Sequence, residues 1–301
     1  IKSYLNMDEP FQYMHTVNRE NIHLVKKAFM NREEKIEWII EHVKNTAGPG
    51  IIYTQSRAKA EAISLQLIQQ NVAAAAYHAG KETQDRQFIQ QQFLAGKLEW
   101  IVATNAFGMG IHKENVRQVI HETMPATLSN YMQEIGRAGR DGNSAVAFLL
   151  YCDGDEQFAK FIATEDLPKE VHIDRFMQTV AAGEQPESLH TKGELSEVVF
   201  RVLSYWLARE SAEKVKSRML ELQLKKFEEV ELVLKLISHQ ECMRRQVVRY
   251  FGQELLEQQE NCCTNCGIEL SNLVQKRDVS KTTVKMTNWQ QRLDKLLVLN
   301  L

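Results

Sequence analysis

The stretch Gly50-Ile51-Ile52-Tyr53-Thr54-Gln55-Ser56-Arg57 shows the pattern on which the fold of the first half of the chain depends. Consecutive apolar residues from Ile51 to Tyr53 are typical of a strand that is buried on both faces of a sheet. Polar residues end this strand, and the segment 56–67 that follows has the apolar spacing of a helix. A buried strand, a polar turn and a helix together indicate one unit of a parallel sheet covered by helices.

The same unit recurs on both sides of this stretch. Helical spacing is found again in segments 33–43 and 83–94. Further short apolar runs predict strands at 72–77, 100–104, 116–121 and 145–150. Because ligands bind at the carboxyl ends of strands in open α/β sheets, the strand-end loops should hold the site residues. We therefore predict an α/β domain with a parallel sheet over residues 1–155.

The second half of the chain has a different pattern. The remaining sequence predicts helices at 156–163, 172–182, 194–207, 212–236 and 242–251. We assign residues 156–236 to a helical insert, which is either a winged-helix-like unit or a plain helical bundle. Residues 237–275 then form a cysteine-bearing helical hairpin. Residues 276–301 form a C-terminal helix with one apolar stripe, made of Trp289, Leu293, Leu296 and Leu297.

Composition narrows the classes of function. The 301 residues carry a formal net charge of −2, which argues against a generally basic coat for nucleic acid. No run of about eighteen apolar residues occurs, so we expect no membrane partner and a cytoplasmic location. Four of the five cysteines lie within residues 242–266, which favours a metal site over a disulfide framework. Cys152 is expected to be a small buried residue.

A second informative stretch is Gln133-Glu134-Ile135-Gly136-Arg137-Ala138-Gly139-Arg140-Asp141-Gly142. On a helix, a spacing of three residues would place Arg137 and Arg140 side by side on one face. Two planar guanidinium groups in that position could bind phosphate oxygens, as an arginine finger does. The alternative is the basic end of a surface helix interrupted by glycines.

These stretches, together with Tyr77-His78-Ala79-Gly80 and the segment 102–111, resemble the motifs of the RecQ family of DNA helicases. The motifs stand in the family's order, and the match covers roughly residues 17–152. Gln133 and Phe107-Gly108-Met109-Gly110 favour this family over the DEAD-box RNA helicases. The resemblance implies the second RecA-like domain of an ATP-dependent 3′ to 5′ DNA helicase that acts in repair and recombination.

The resemblance also implies roles for individual residues. Arg137 and Arg140 would be the catalytic donors to the γ-phosphate of ATP, and Gln133 would help to sense the nucleotide. Gly108 and Gly110 would let the main chain approach the nucleotide. The residues implied to hold single-stranded DNA are Ser56, Arg57, His78 and Thr104. The alternatives are a helix N-cap, a surface charge and a hydrogen-bonded structural histidine.

The sequence contains no G-x-x-x-x-G-K-[ST] loop that would cradle phosphates. ATP and Mg²⁺ would therefore be bound mainly by a first RecA-like domain of the same protein. Because the chain also begins at Ile1, we expect a fragment, similar to the short RecS type, that does not hydrolyse ATP alone. Expected partners are that domain, single-stranded and forked DNA and a single-strand binding protein, in the bacterial nucleoid. The rival interpretation is a non-catalytic, zinc-stabilised DNA-binding module.

The cysteine region resembles the zinc-binding element that follows the motor in this family. Cys242, Cys263 and Cys266 match, whereas Glu269 stands where the family has its fourth cysteine. Either Glu269 or Cys262 could complete a structural zinc site, or the site is empty; we favour Glu269, since adjacent residues rarely both bind one zinc. Arg244, with Arg245 and Arg249, could form a DNA-binding patch or pair with neighbouring carboxylates.

Overall fold

Six parallel strands form one sheet in the first half of the chain. The computed structural model describes residues 7–8, 11, 16–104, 107, 112–255 and 260–277. The strands are β1 (Ile22–Phe29), β2 (Gly50–Tyr53), β3 (Ala74–Tyr77), β4 (Trp100–Ala103), β5 (Gln118–His121) and β6 (Ala145–Cys152). Their order in the sheet is β1-β6-β5-β2-β4-β3, and all neighbours run parallel. The prediction of a parallel-sheet α/β domain is confirmed.

Helices connect these strands and make up the second half of the described chain. They are α1 (Arg32–Asn45), α2 (Arg57–Gln69), α3 (Thr83–Leu94), α4 (Leu128–Ile135), α5 (Asp155–Thr164), α6 (Glu170–Ala181), α7 (Glu187–Thr191), α8 (Glu197–Leu207), α9 (Ala212–Ser238) and α10 (Met243–Tyr250). Short 3₁₀ turns follow at Thr264–Cys266 and Leu270–Asn272. Within the described residues, none of the helices combines the length and the apolar composition that crossing a bilayer requires.

The sheet is covered on both faces, as its apolar strands require. Successive residues of β2 point to opposite sides, so Ile51 and Tyr53 enter one apolar cluster and Ile52 enters the other. Buried residues of α1 and α2 belong to the cluster on the side of Ile52. Buried residues of α4, α9 and α10 belong to the cluster on the side of Tyr53. The strand-end residues of β2 are therefore enclosed between two packed layers.

A separate apolar core organises the helical insert. Side chains of α6, α7, α8 and the first half of α9 surround it, including Ile173, Leu203 and Met219. Every regular element assigned within the described residues 153–255 is a helix. A winged-helix unit needs a β-wing, so this part of the structure corresponds to the alternative of a plain helical bundle.

The cysteine-bearing segment is joined to the sheet rather than standing apart from it. The amide of Leu24 in β1 donates to the carbonyl of Cys262 at 3.0 Å, and Leu24 forms a β-bridge with Cys263. The amide of Lys26 donates to Thr264 Oγ1 at 2.9 Å. The chain then crosses to the other side, where Arg277 forms an ion pair with Glu99 at 2.7 Å. The predicted C-terminal helix lies outside the described residues, apart from residues 276 and 277.

Candidate nucleotide, DNA and metal sites

The paired arginines lie on a turn that follows α4. Thr127 caps the start of this helix, accepting from the amide of Asn130 at 3.0 Å, and the helix ends at Ile135. The amide of Arg137 then donates to Glu134 O at 3.2 Å, and Gly139 adopts a left-handed conformation with φ of 53°. The expectation that both arginines share one face of a helix is wrong, because the chain leaves the helix before either of them.

Glycine is required at position 139 for a second reason. A Cβ atom there would lie 2.4 Å from Asn21 Nδ2 and 2.7 Å from Asn143 O, closer than real contacts allow. Asn21 Nδ2 donates to the carbonyls of both Gly139 and Asn143. The turn that carries the arginines is therefore fastened to the segment before β1, at the edge of the sheet.

The two arginines have different surroundings. Arg137 is half-buried, and its positive charge opposes the rise that burial causes in the pKa of Tyr53 at the end of β2. Arg140 is exposed, and its Nε donates to Gly136 O at 3.3 Å. Gln133, in the last turn of α4, is also exposed. The turn thus carries one half-buried and one exposed guanidinium group, a pair that could bind phosphate oxygens.

Tyr53 lies at the centre of a buried polar group. Its hydroxyl donates to Phe107 O at 3.2 Å, and its ring stacks on His121 with 5.3 Å between centroids. His121 Nε2 in turn lies 2.7 Å from Glu134 Oε2 on α4. Burial raises the pKa of Tyr53 far above its ordinary value, so the phenol stays protonated although Arg137 opposes the shift.

Tyr53, His121 and Glu134 were not identified from the sequence as site residues. The sequence did show that Tyr53 and His121 are the last residues of two predicted buried strands. It did not show that these two strands are neighbours in the sheet, which is what brings the two side chains together. Gly108 and Gly110 were expected to bind nucleotide, and both lie outside the described residues. Phe107 is described; its buried ring packs edge-on against Tyr77, with 4.9 Å between centroids.

The four predicted DNA-binding residues of the sheet domain all lie shortly after strand ends. Ser56 and Arg57 follow β2 and are exposed, and Thr104 follows β4 and is half-buried. Ser56 Oγ accepts from the amide of Lys59 at 3.1 Å, so this side chain serves as the N-cap of α2. This is the structural role that was considered as the alternative, and an exposed cap can still contact a ligand.

Arg57 lies against the turn that follows β3. A Cβ atom on Gly80 would come within 2.9 Å of Arg57 Nη1, so the glycine leaves room for the guanidinium group. His78 in the same turn is buried, and its Nε2 lies 2.9 Å from Glu61 Oε1. Burial alone would raise the pKa of Glu61, but hydrogen bonds from Lys81 and His78 lower it below its ordinary value. His78 therefore has the contacts of a structural histidine.

Four cysteine sulfurs form a cluster beside the edge of the sheet. The Sγ atoms of Cys242, Cys262, Cys263 and Cys266 all lie within 4.8 Å of one another. Cys242 Sγ is 3.5 Å from Cys262 Sγ and 3.9 Å from Cys263 Sγ. Tetrahedral zinc with bonds of about 2.3 Å to sulfur requires sulfurs about 3.8 Å apart. The spacing of the cluster therefore fits a four-thiolate zinc site.

Cys262, not Glu269, is the fourth member of this cluster. Glu269 is exposed, and its Oε2 accepts from Asn272 Nδ2 at 3.3 Å. The preference for Glu269 is thus wrong. The chain turns sharply just before the two adjacent cysteines, where Asn261 has a φ of 56°, a conformation that asparagine tolerates. This turn lets both Cys262 and Cys263 direct their sulfurs into the cluster.

Arg244 lies inside the protein, which corrects the expectation that it contacts DNA. Only 4% of the residue is exposed. Its Nη1 donates to Asn18 Oδ1 at 2.7 Å and to Arg19 O at 2.8 Å, and its Nη2 donates to Ile22 O at 2.5 Å. Arg249 on the same helix forms an ion pair with Glu241 at 2.6 Å. Only the Arg249 contact corresponds to the alternative of pairing with a neighbouring carboxylate. Arg244 instead joins α10 to the segment before β1 and to the start of that strand.

Comparisons with known proteins give two family matches along the chain. Residues 34–142 match the family described as "Helicase conserved C-terminal domain", and residues 202–268 match "RecQ zinc-binding". The chain is 30% identical to "Probable ATP-dependent DNA helicase RecS" of Bacillus subtilis (strain 168), covering 99% of this chain and 62% of that protein. It is 37% identical to "ATP-dependent DNA helicase RecQ" of Pasteurella multocida, covering 62% of this chain and 29% of that protein.

A solved structure, the DEAD-box protein SrmB of E. coli bound to the regulator RraA, aligns with a TM-score of 0.42 and 19% identity. The alignment covers 45% of this chain and 79% of that one.

The chain spans less than two thirds of the length of the RecS and RecQ relatives. The two family matches fall on the parallel-sheet domain and on the helices that lead to the cysteine cluster. The chain belongs to the RecQ family of helicases and carries its helicase C-terminal domain and its zinc-binding domain.

Proposed function

We propose that this chain is the C-terminal part of an ATP-dependent 3′ to 5′ DNA helicase that acts in repair and recombination. The observation that carries the proposal is the turn after α4, which carries half-buried Arg137 and exposed Arg140 three residues apart. In this role, Arg137 and Arg140 supply positive charge to the γ-phosphate as it is transferred. Gln133 would help to sense the nucleotide, and Gly108 and Gly110, which lie outside the described residues, are proposed to bind nucleotide on the basis of their motif alone. ATP and Mg²⁺ are held mainly by a first RecA-like domain.

Single-stranded DNA is proposed to run along the carboxyl ends of β2, β3 and β4. Exposed Ser56 and Arg57 and half-buried Thr104 supply hydroxyl and guanidinium donors for the phosphate backbone. Buried His78 contributes by holding the Tyr77–Gly80 turn through Glu61. Such contacts read no base sequence, so the proposal predicts binding that weakens steeply with salt.

The cysteine cluster is proposed to hold one structural zinc ion through Cys242, Cys262, Cys263 and Cys266. Support comes from the distances between the sulfurs and from the absence of any non-thiol ligand in the cluster found among the described residues. A site filled by four thiolates has no open position for water, so its role is structural. When bound, the metal would hold the thiolates together and keep the start of α10 on the edge of β1.

The test of this function uses the full-length parent protein. Wild type should hydrolyse ATP at a rate that single-stranded DNA raises, and it should unwind forked DNA. Arg140→Ala should lower kcat at least about 10³-fold and leave ATP binding nearly unchanged, because the arginine acts on the transition state. Arg175→Ala, which removes a surface arginine paired with Glu194 in the helical bundle, is the control. Loss of ATP binding in Arg140→Ala would contradict the role proposed for this arginine.

The fragment by itself gives an independent check. The purified chain should contain about one zinc, bind single-stranded DNA weakly and turn over no ATP. Robust ATP hydrolysis by the isolated chain would overturn the division of the nucleotide site between two domains. The non-catalytic alternative loses support because Arg244, one of its proposed DNA contacts, is buried. A cytoplasmic, nucleoid location and contact with a single-strand binding protein belong to the same proposal.

A further inference from the structure

Arg19 holds the main chain of the turn that carries the two proposed catalytic arginines. Its Nη2 donates to Gly139 O at 2.8 Å and to Ala138 O at 3.3 Å. Ala138 and Gly139 are the two residues that separate Arg137 from Arg140. We infer that Arg19 is a positioning residue for the transfer of the γ-phosphate, because it fixes the placement of the two arginines relative to each other. This inference rests on the proposed helicase function.

This one guanidinium group fixes two consecutive peptide planes. A peptide unit is planar, so a hydrogen bond to its carbonyl oxygen also orients the amide nitrogen of the next residue. The carbonyl of Gly139 shares a plane with the nitrogen of Arg140, and the carbonyl of Ala138 belongs to the plane before it. Because Gly139 has a φ of 53° and no side chain, this part of the turn depends on outside contacts to keep one conformation. Arg19 supplies such contacts on both planes.

Two side chains of the segment before β1 act on the same carbonyl. Asn21 Nδ2 donates to Gly139 O at 2.7 Å, next to the bond from Arg19, and the amide of Gly142 donates to it at 3.0 Å. Of the two side chains, Arg19 is the one that also donates to Ala138 O. A guanidinium group presents its N–H donors in a rigid planar fork, whereas the ammonium group of a lysine is a point charge on a flexible chain.

The main chain of Arg19 is itself held in place. Arg244 on α10 donates through Nη1 to Arg19 O at 2.8 Å and to Asn18 Oδ1 at 2.7 Å. The amide of Ile22 also donates to Arg19 O, at 3.1 Å. Arg244 is 4% exposed, so its hydrogen bonds are shielded from competing water. The main chain at Arg19 is therefore a fixed support for the side chain that reaches the arginine turn.

These contacts assign Arg19 to positioning rather than to direct contact with the nucleotide. The residue is half-buried, and the acceptors of its Nη2 are main-chain oxygens of the turn. The rate of an enzyme depends steeply on placement, since a displacement of about 1 Å can lower it about 100-fold. Loss of Arg19 should therefore slow phosphoryl transfer, while the affinity for ATP, which the first RecA-like domain mainly provides, is kept.

The experiment compares two arginine variants of the full-length parent protein. Arg19→Ala removes both hydrogen bonds to the turn. Arg277→Ala is the control: the Arg277 side chain is 7% exposed, pairs with Glu99 at 2.7 Å and donates to Asn71 O at 3.4 Å. Its partners precede β4 and β3, at the other edge of the sheet from the arginine turn. Thermal melting shows how much stability each variant loses, so a loss of rate confined to Arg19→Ala is not an effect of stability.

We expect Arg19→Ala to lower kcat for ATP hydrolysis at saturating single-stranded DNA about tenfold, because misplaced catalytic groups lose rate steeply. The KM for ATP and the Kd for DNA should stay within about twofold of wild type, and Arg277→Ala should change kcat by less than about twofold. Arg19→Lys keeps the charge but not the planar fork, so its kcat should remain at least about threefold below wild type.

Each contrary result has a definite meaning. An unchanged kcat in Arg19→Ala, or wild-type kcat in Arg19→Lys, would overturn the inference while leaving the helicase function intact. A rise in KM that accounts for the whole loss would show that Arg19 binds the nucleotide, and an equal fall of kcat in Arg277→Ala would show a general effect of stability. Both results would also overturn the inference. A wild-type protein whose ATP hydrolysis does not respond to DNA would instead refute the proposed function itself.

Discussion

At the scale of single residues, burial decides what a charged side chain does. Arg244 and Arg249 lie on the same short helix, α10, yet their environments are opposite. Arg244 donates to two oxygens of the segment before β1 and to the carbonyl of Ile22 at its start, whereas the Arg249 side chain is 65% exposed and pairs with Glu241. A buried guanidinium group whose partners would be left unpaired contributes far more stability than a surface ion pair.

We therefore expect Arg244→Ala to lower the free energy of unfolding by about 2–4 kcal/mol, since it leaves buried carbonyls without donors. Arg249→Ala, on the same helix, should change it by less than about 1 kcal/mol. Urea denaturation of both variants measures the difference. If Arg244→Ala kept wild-type stability but lost affinity for single-stranded DNA, the structural assignment of Arg244 would be wrong.

At the scale of elements, the arginine-bearing turn is fixed by a surface ion pair at its far end. Asp141 pairs with Arg117, which immediately precedes β5, and its Oδ1 accepts from the amide of Asn143 at 3.1 Å. Arg117 also donates to Ser144 O at 3.0 Å. The turn is therefore held at Asp141 as well as at Gly139, and both contacts are needed because glycines leave it little stiffness of its own.

This ion pair predicts a dependence of stability on pH. The hydrogen bond from Arg117 holds the pKa of Asp141 far below its ordinary value. A carboxyl group with a lowered pKa in the folded state stabilises the fold at pH values above its unfolded pKa of about 3.9, and this contribution is lost as the pH falls further. Asp141→Asn should therefore be less stable than wild type at pH 7, and the difference should shrink between about pH 4 and pH 2.

Denaturation midpoints of wild type and Asp141→Asn over that pH range measure the effect. The comparison cancels any acid-induced loss of stability that the two proteins share. Glu228→Gln serves as the control, because Glu228 is exposed on α9 and has no ion pair among the described residues. A pH-independent difference between Asp141→Asn and wild type would show that the carboxylate charge does not hold the turn.

At the scale of the whole molecule, the cysteine cluster connects the helical half to the edge of the sheet. Cys242 precedes α10, while Cys262 and Cys263 pair with Leu24 on the free edge of β1. The chain that follows reaches the opposite face, where Leu270 and Val274 pack against the second apolar cluster. Loss of a metal bound to this cluster should therefore destabilise the edge of the sheet as well as the helices.

We expect Cys262→Ser to lose zinc and to reduce the hydrogen-exchange protection of the Leu24 and Lys26 amides, while the amides of β3 keep theirs. Glu269→Gln should retain both zinc and protection, because Glu269 lies outside the cluster. Metal analysis and exchange measured by mass spectrometry provide the two readouts. Full zinc occupancy in Cys262→Ser would restore Glu269 as a possible ligand.

Much of the sheet could be predicted because its strands carry continuous apolar runs, and the five predicted strands match β2 to β6 within two residues at each end. The edge strand β1 was not predicted, since exposed Lys27 and half-buried Lys26 interrupt its apolar pattern.

In the candidate site, the sequence of the motif singled out Arg137 and Arg140. Their turn was mistaken for a helix because spacing alone does not show where Gly136 ends α4.

The sequence by itself determined the family, the parallel α/β architecture and the presence of a thiol-rich site, since these follow from local patterns of apolar residues, motifs and cysteines. Only the tertiary structure decided that Cys262 replaces Glu269, that Arg244 is buried and that the hydroxyl of Tyr53 contacts Phe107. Each of these depends on segments distant in the chain coming within hydrogen-bonding or ligand distance. Such contacts are set by the packing of strands and helices, which no local pattern contains.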